Sequence, residues 1–356
     1  MMRASNRAFR ERSETPGALP ARRAMAGLIA GTLCVLVVFL SGCGSDATSP
    51  VEGDNDECPA GQWDEDTGGW YAYSHDCRPY TGDHFTIYSD GSSLEAKRFL
   101  AQIAEEIFAE LVPEFLIESI SDELQFTDDY TYYIYAEKHL DPILAMGYRN
   151  GFFIGAIDCT TVPGYYTGNP SRYRRTLKHE LTHVFQFTLT DCPSNAACPY
   201  WLGVWFREGQ AVYMSGAGEN ARVTTVEELN QWYSDQSRIS PISIHRWTDF
   251  PDPDRGGEYY PVFGLAYAYL VDTAHGHGAT MADMREMFQL MKDGEGFKVA
   301  FEDVFGFSVG WYEENFRSLM EQYLTSAGSR ISLGLEVKMD QAHPYRSICP
   351  GAPNSN

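Results

Sequence analysis

The sequence is poor in positive charge. Twenty-seven Lys and Arg stand against 49 Asp and Glu in 356 residues, a formal net charge of −22. Without residues 1–42, which carry six Arg and two Glu, the balance falls to about −26. A surface of that sign repels polyphosphate and anionic lipid, which excludes nucleic acid as a partner. The acidity reads first as a device for solubility. Internal repeats and low-complexity tracts are also missing, so solenoids and disordered chains are set aside. No C-x-x-C occurs, which argues against a metal held by cysteines. What remains is 44% hydrophobic, enough for a sizeable core in one large domain or two subdomains.

Long apolar runs are scarce as well. The one candidate, Ala24 to Leu40, has 17 residues without a charge. It falls short of the roughly 20 that a membrane span needs. Six Arg lie upstream between Arg3 and Arg23, and "LSGC" (Leu40 to Cys43) follows. A basic flank, an apolar stretch and small residues make a secretory signal, with a retained signal anchor as the weaker alternative. The cysteine directly after Ser41-Gly42 resembles a bacterial lipobox. That resemblance implies a diacylglycerol on Cys43, cleavage before it, and a chain anchored to the cell envelope, facing periplasm or exterior. The polar, acidic stretch Ser45 to Glu57 reads as a tether.

Six cysteines remain: Cys58, Cys77, Cys159, Cys192, Cys198 and Cys349. In an oxidising compartment they are expected to pair. Cys192 with Cys198 and Cys58 with Cys77 are the local pairs; Cys159 with Cys349 would tie the tail to the core.

Strand-like alternation marks Asp83 to Asp90, Tyr130 to Glu137 and Gly151 to Asp158. Helical spacing marks Ser92 to Phe115. A helix is expected from about Ser171, after Pro170, with Leu177, Leu181, Val184, Phe185 and Phe187 on its apolar side. Asp191 to Trp201 reads as a loop and Trp201 to Gly216 as the next helix. From Val226 the pattern is mostly helical, with four helices expected between Tyr259 and Leu324. The fold class is therefore α+β, with a helical back half. The expected divisions are a signal (1–42), an acidic, Cys-containing N-terminal segment (43–82), a catalytic subdomain (83–220), a helical subdomain (221–330) and a tail (331–356).

The chemistry sits in "HELTH", residues 179–183. A helix turns about 100° per residue, so His179 and His183 share a face while Glu180 points about 100° away. Two imidazoles can then hold one metal ion and the glutamate can reach a water beside it, which is the mechanical content of H-E-x-x-H. Zinc takes neutral imidazole nitrogens and keeps a third protein ligand in catalytic sites. The metzincin continuation, G-x-x-H, is missing; "VFQFTL" follows instead. Downstream, "WFREGQAVY" offers Glu208, 25 positions after His183, flanked by small Gly209 and Ala211. Small residues would let this helix approach the histidine helix. Asp191 is the rival third ligand.

"HELTH…WFREGQAVY" resembles the gluzincin zinc metallopeptidases, and the likeness extends loosely from Asp83 to Leu324. It implies a zincin-like fold, one Zn²⁺ on His179, His183 and Glu208, and hydrolysis of a peptide or protein substrate. It also implies that Gly151 to Asp158 is an edge strand beside the site. In this chemistry Glu180 takes the proton of the zinc-activated water and passes it to the leaving amine. A donor must stabilise the oxyanion. Tyr260 is the first choice, ahead of Tyr259, Tyr267, His275 and His277. The competing reading is a non-catalytic zincin-like lipoprotein that serves as a binding or assembly module.

Overall fold

Three parallel strands carry the front of the molecule. In a computed structural model, which describes residues 79–89, 94–124, 132–137, 146–148, 151–155, 170–192, 198–216 and 223–327, they are β2 (Phe85–Ser89), β3 (Tyr132–Glu137) and β5 (Gly151–Gly155). Two short antiparallel strands, β1 (Tyr80–Thr81) and β4 (Met146–Tyr148), complete the sheet in the order β1-β2-β3-β5-β4. The parallel β2–β3 pair requires a crossover, and α1 (Leu94–Glu114) lies within it. Phe85, Ile87, Tyr132, Ile134, Phe152 and Ile154, at alternate positions of the three parallel strands, are buried, in keeping with the two-residue period of a strand. Phe108 of α1 meets the rings of Phe85 and Tyr132 edge-on.

The segment 151–155 is not an edge strand. It is flanked by β3 on one side and β4 on the other, in the register Met146↔Phe153 and Tyr148↔Gly151. A three-residue strand is too short to show alternation, so β4 leaves no trace in the sequence pattern. The signal segment, Cys43, the tether and the 331–356 tail lie outside the described residues. So do the pairings expected for Cys58 with Cys77 and Cys159 with Cys349. No helix among the described residues is long and apolar enough to cross a membrane.

The histidine helix α3 (Pro170–Leu189) starts on Pro170, one residue earlier than expected, where a missing N–H costs nothing. Leu177, Leu181, Val184, Phe185 and Phe187 are all buried. Thr182, Thr188 and Thr190 are buried too, and each hydroxyl donates to the carbonyl four residues back, at 2.7–2.8 Å. Against α1 the contact is apolar at Phe185, which packs on Phe108 and Phe115, and ionic along the exposed side. Lys178 reaches Glu114 at 3.0 Å and Glu110 at 3.5 Å, and Arg174 pairs with Glu110 and Glu106. One helical turn separates successive charges on each helix, so the two rows interlock.

Past α3, the region expected to be loop contains one helical turn, α4 (Cys198–Trp201), and Cys192 is bonded to Cys198 across six positions. Next comes α5 (Val204–Ser215), buried along its whole length except at Tyr213. It ends on Gly216, whose φ of 63° is left-handed and suits glycine. The back half holds α6 (Val226–Tyr233), α7 (Tyr260–Val271), α8 (Met281–Lys292), α9 (Phe297–Phe305) and α10 (Val309–Ala327). All described elements belong to one compact unit, residues 55–356. The arrangement is α+β.

α7, "YPVFGLAYAYLV", is apolar on every side, as suits a helix buried from Val262 to Ala268. It crosses α5 at two glycines. A Cβ on Gly209 would lie 2.4 Å from the Phe263 carbonyl oxygen, and one on Gly264 would lie 2.7 Å from Val212 Cγ1. The small residue beside Glu208 thus serves the α5–α7 approach, not the α3–α5 approach expected of it. Gly209→Ala must push α7 away, because the atom it meets is backbone. It should lower unfolding free energy by about 1–3 kcal/mol, measured by denaturant titration, with α5 helicity otherwise retained.

Candidate metal centre

α3 presents His179 and His183 one turn apart, with ring centroids 4.7 Å apart and planes nearly perpendicular. α5 brings Glu208 against both. His179 Nε2 lies 3.1 Å from His183 Nε2, and each lies 3.2 Å from Glu208 Oε2. The three atoms form a nearly equilateral triangle. Among the described residues this is the group of His, Cys, Asp and Glu able to hold a metal ion. The rival Asp191 sits exposed past the end of α3 and is not part of it.

The donor set fits a cation. A four-coordinate ion with bonds of about 2.0–2.1 Å spaces its ligand atoms roughly 3.3–3.4 Å apart, within a few tenths of an ångström of the observed triangle. The three side chains are buried, with 7%, 5% and 2% of His179, His183 and Glu208 exposed. Glu180 and Arg207 are buried beside them. With neutral imidazoles, two carboxylates and one guanidinium leave this pocket with a net negative charge. Three lone-pair atoms facing one another out of water are unfavourable unless a proton or a cation sits between them.

Neighbouring groups divide the labour on Glu208. Arg207 donates to Oε1 through Nε at 3.0 Å and through its terminal nitrogen at 2.6 Å, which leaves Oε2 for the histidines. Burial alone would raise the carboxyl's pKa. The charges of His183 and Arg207 and the bonds from both imidazoles outweigh it and hold Glu208 well below the usual carboxylate range. The Arg207 guanidinium in turn lies over the rings of Phe187 and Trp247, 5.9 Å from each centroid.

The tyrosine candidates separate cleanly. Tyr260, first residue of α7, stacks on the His179 ring with centroids 5.9 Å apart. Burial pushes its phenol well above the ordinary value. The charges of Glu208 and Glu180 and a hydrogen bond to Glu208 add to that, so the hydroxyl stays protonated. Tyr259 is buried elsewhere, its hydroxyl accepting from the Ile239 amide at 3.3 Å. Tyr267 accepts from Gln210 at 2.8 Å. The loop after α7 holds His275 and His277; the His277 ring packs on Phe305 and Phe307. Trp205 is core and Trp201 is partly buried against it.

Sequence reasoning passed over Arg207, Gln186 and Gln210. Gln186 Oε1 accepts from His183 Nδ1 at 2.9 Å, and Gln186 Nε2 donates to the Arg207 carbonyl at 3.0 Å and to Gln210 Oε1 at 2.8 Å. Their signal was available: "HVFQ" puts Gln186 one turn beyond His183, on the metal face, and "REGQ" brackets Glu208. No family model, curated protein or solved structure matches this chain.

Glu208→Ala removes the carboxylate and strands the buried guanidinium of Arg207. Metal binding should be lost, and the metal-free protein should lose about 3–5 kcal/mol of stability, by calorimetric titration and denaturant unfolding respectively. Full metal retention would exclude Glu208 as a ligand.

Proposed function

We propose that this chain is a zinc-dependent metallopeptidase of zincin-like fold, anchored to the bacterial cell envelope through a lipid on Cys43. The convergence of His179 Nε2, His183 Nε2 and Glu208 Oε2 within 3.2 Å carries the reading. Two imidazoles and a carboxylate, from an H-E-x-x-H helix and a following helix, form the His₂Glu set that catalytic zinc takes. Zinc bound there supplies Lewis acidity for a substrate carbonyl and makes water a stronger acid.

The protein's own groups have distinct tasks. Glu180 is buried on α3 next to His179 and close enough to Tyr260 to raise its phenol pKa. As general base it takes a proton from the attacking water and returns it to the leaving amine. Tyr260, held neutral, turns its O–H from Glu208 to the carbonyl oxygen of the substrate as negative charge builds there. Arg207 fixes the carboxylate of Glu208, so the ligand need not be reoriented during turnover. The histidine helix packed on a mixed sheet supports the zincin-like assignment. The Arg-rich flank, apolar run and "LSGC" support the anchor.

The test is metal analysis followed by proteolysis of a mixed peptide library. About one zinc per chain is expected in the wild type. Glu180→Gln should keep that zinc and lose all turnover. Tyr260→Phe should lower kcat by about 10²–10³-fold with KM little changed. Iron in place of zinc would point to oxygen chemistry. Zinc with no cleavage of any peptide would favour the binding-module reading. Labelling with a fatty acid in cells, lost in Cys43→Ser, checks the anchor.

A further inference from the structure

The buried amides behind His183 have no part in the chemistry above. Gln186, Gln210 and Tyr267 are fully buried and join α3, α5 and α7 in one chain of hydrogen bonds. Its polarity can be worked out from an end that allows no choice. The Arg207 backbone carbonyl only accepts, and it lies 3.0 Å from the Gln186 side-chain amide. The group facing it must therefore be the NH₂ of Gln186. The second N–H of that NH₂ points at Gln210 Oε1, 2.8 Å away. Gln210 then turns its own NH₂ to the Tyr267 hydroxyl at 2.8 Å. Flipping Gln186 would set two carbonyl oxygens against each other in the core.

With its NH₂ committed, Gln186 can offer His183 only a carbonyl oxygen. That oxygen lies 2.9 Å from Nδ1, so Nδ1 must carry a proton, and whenever the ring is neutral Nε2 keeps its lone pair. We infer that Gln186, braced by Gln210 and Tyr267, is a positioning residue. It holds the neutral His183 ring in the Nδ1–H tautomer and turns Nε2 toward the His179–Glu208 pair, before any metal arrives. His179 has no such brace, since its Nδ1 is buried without a hydrogen-bond partner. The two ligands are thus unequal: one is set in advance by a polar wire, the other is steered by ring packing. The consequence for metal affinity rests on the zinc reading; the tautomer does not.

The experiment is ¹⁵N NMR of the imidazole nitrogens in metal-free wild type, assigned through a His183→Gln variant and repeated in Gln186→Met and Gln186→Glu. Zinc affinity of each folded protein is measured by chelator competition. In wild type the His183 Nδ1 should stay pyrrole-type throughout a pH titration, and Nε2 should become pyridine-type once the ring is neutral. Gln186→Met, similar in size but without an acceptor, should lose that preference and bind zinc about 10–100-fold more weakly. Gln186→Glu, which keeps an acceptor, should restore the Nδ1–H form and most of the affinity. A neutral His183 ring with its proton on Nε2 in metal-free wild type overturns the inference, whether or not the variants fold. So does a Gln186→Met protein with unchanged tautomer and affinity. If no form binds zinc, the metallopeptidase reading fails, while the tautomer in wild type still decides the positioning role.

Discussion

Everything at the site depends on burying a carboxylate. α5 places Glu208 where 2% of it meets solvent, and an ionised carboxylate in such a place needs compensation. Three partners supply it: the Arg207 guanidinium on one oxygen and two imidazoles on the other. The requirement propagates outward. Arg207 must itself be enclosed, between Phe187 and Trp247. α5 must be held rigidly enough to keep a triangle 3.1–3.2 Å on a side. The crossing with α7 at Gly209 and Gly264 leaves it no room to slide, and the same crossing puts Tyr260 at the mouth of the triangle.

The support on the other side of the triangle is different in kind. α3 is fixed to the sheet half by apolar contacts and by the interlocked charges of Arg174 and Lys178 with the glutamates of α1. The sheet therefore anchors the helix that carries the histidines and the candidate base. The crossed pair α5 and α7 carries the third side chain of the triangle and the tyrosine. The site exists only where α3 meets α5 and α7, which is why its members come from distant stretches of sequence.

That division also explains what could be read from the sequence. The i, i+4 spacing of His179 and His183 is local, and so are the periodicity of α1, α3 and α8 to α10 and the continuous apolar run of α7; these were legible because one helix generates the pattern. Glu208 was legible because a charge amid Trp205, Phe206, Ala211 and Val212 stands out. β4 was not, because three residues carry no period. The place of β5 inside the sheet was lost with it. Gly209 was noticed but given the wrong partner, since a small residue announces a close approach without saying what approaches. Gln186 and Gln210 were overlooked because neutral amides are usually surface residues; only their hydrogen-bond partners, three helices apart, reveal a fixed polarity.

The bond between Cys192 and Cys198 closes the stretch between α3 and α4. By the chain alone, Glu208 lies 25 positions after His183. Through the sulfurs, the path bypasses residues 193–197 and runs from the end of the histidine helix almost directly into α5. A tether shortened in this way raises the effective concentration of the glutamate around the two imidazoles even in the unfolded ensemble. Oxidation thereby reduces the entropy that must be lost when the triangle assembles. The redox state of the compartment, through a bond that touches none of the three side chains, sets how readily the triangle assembles as the chain folds.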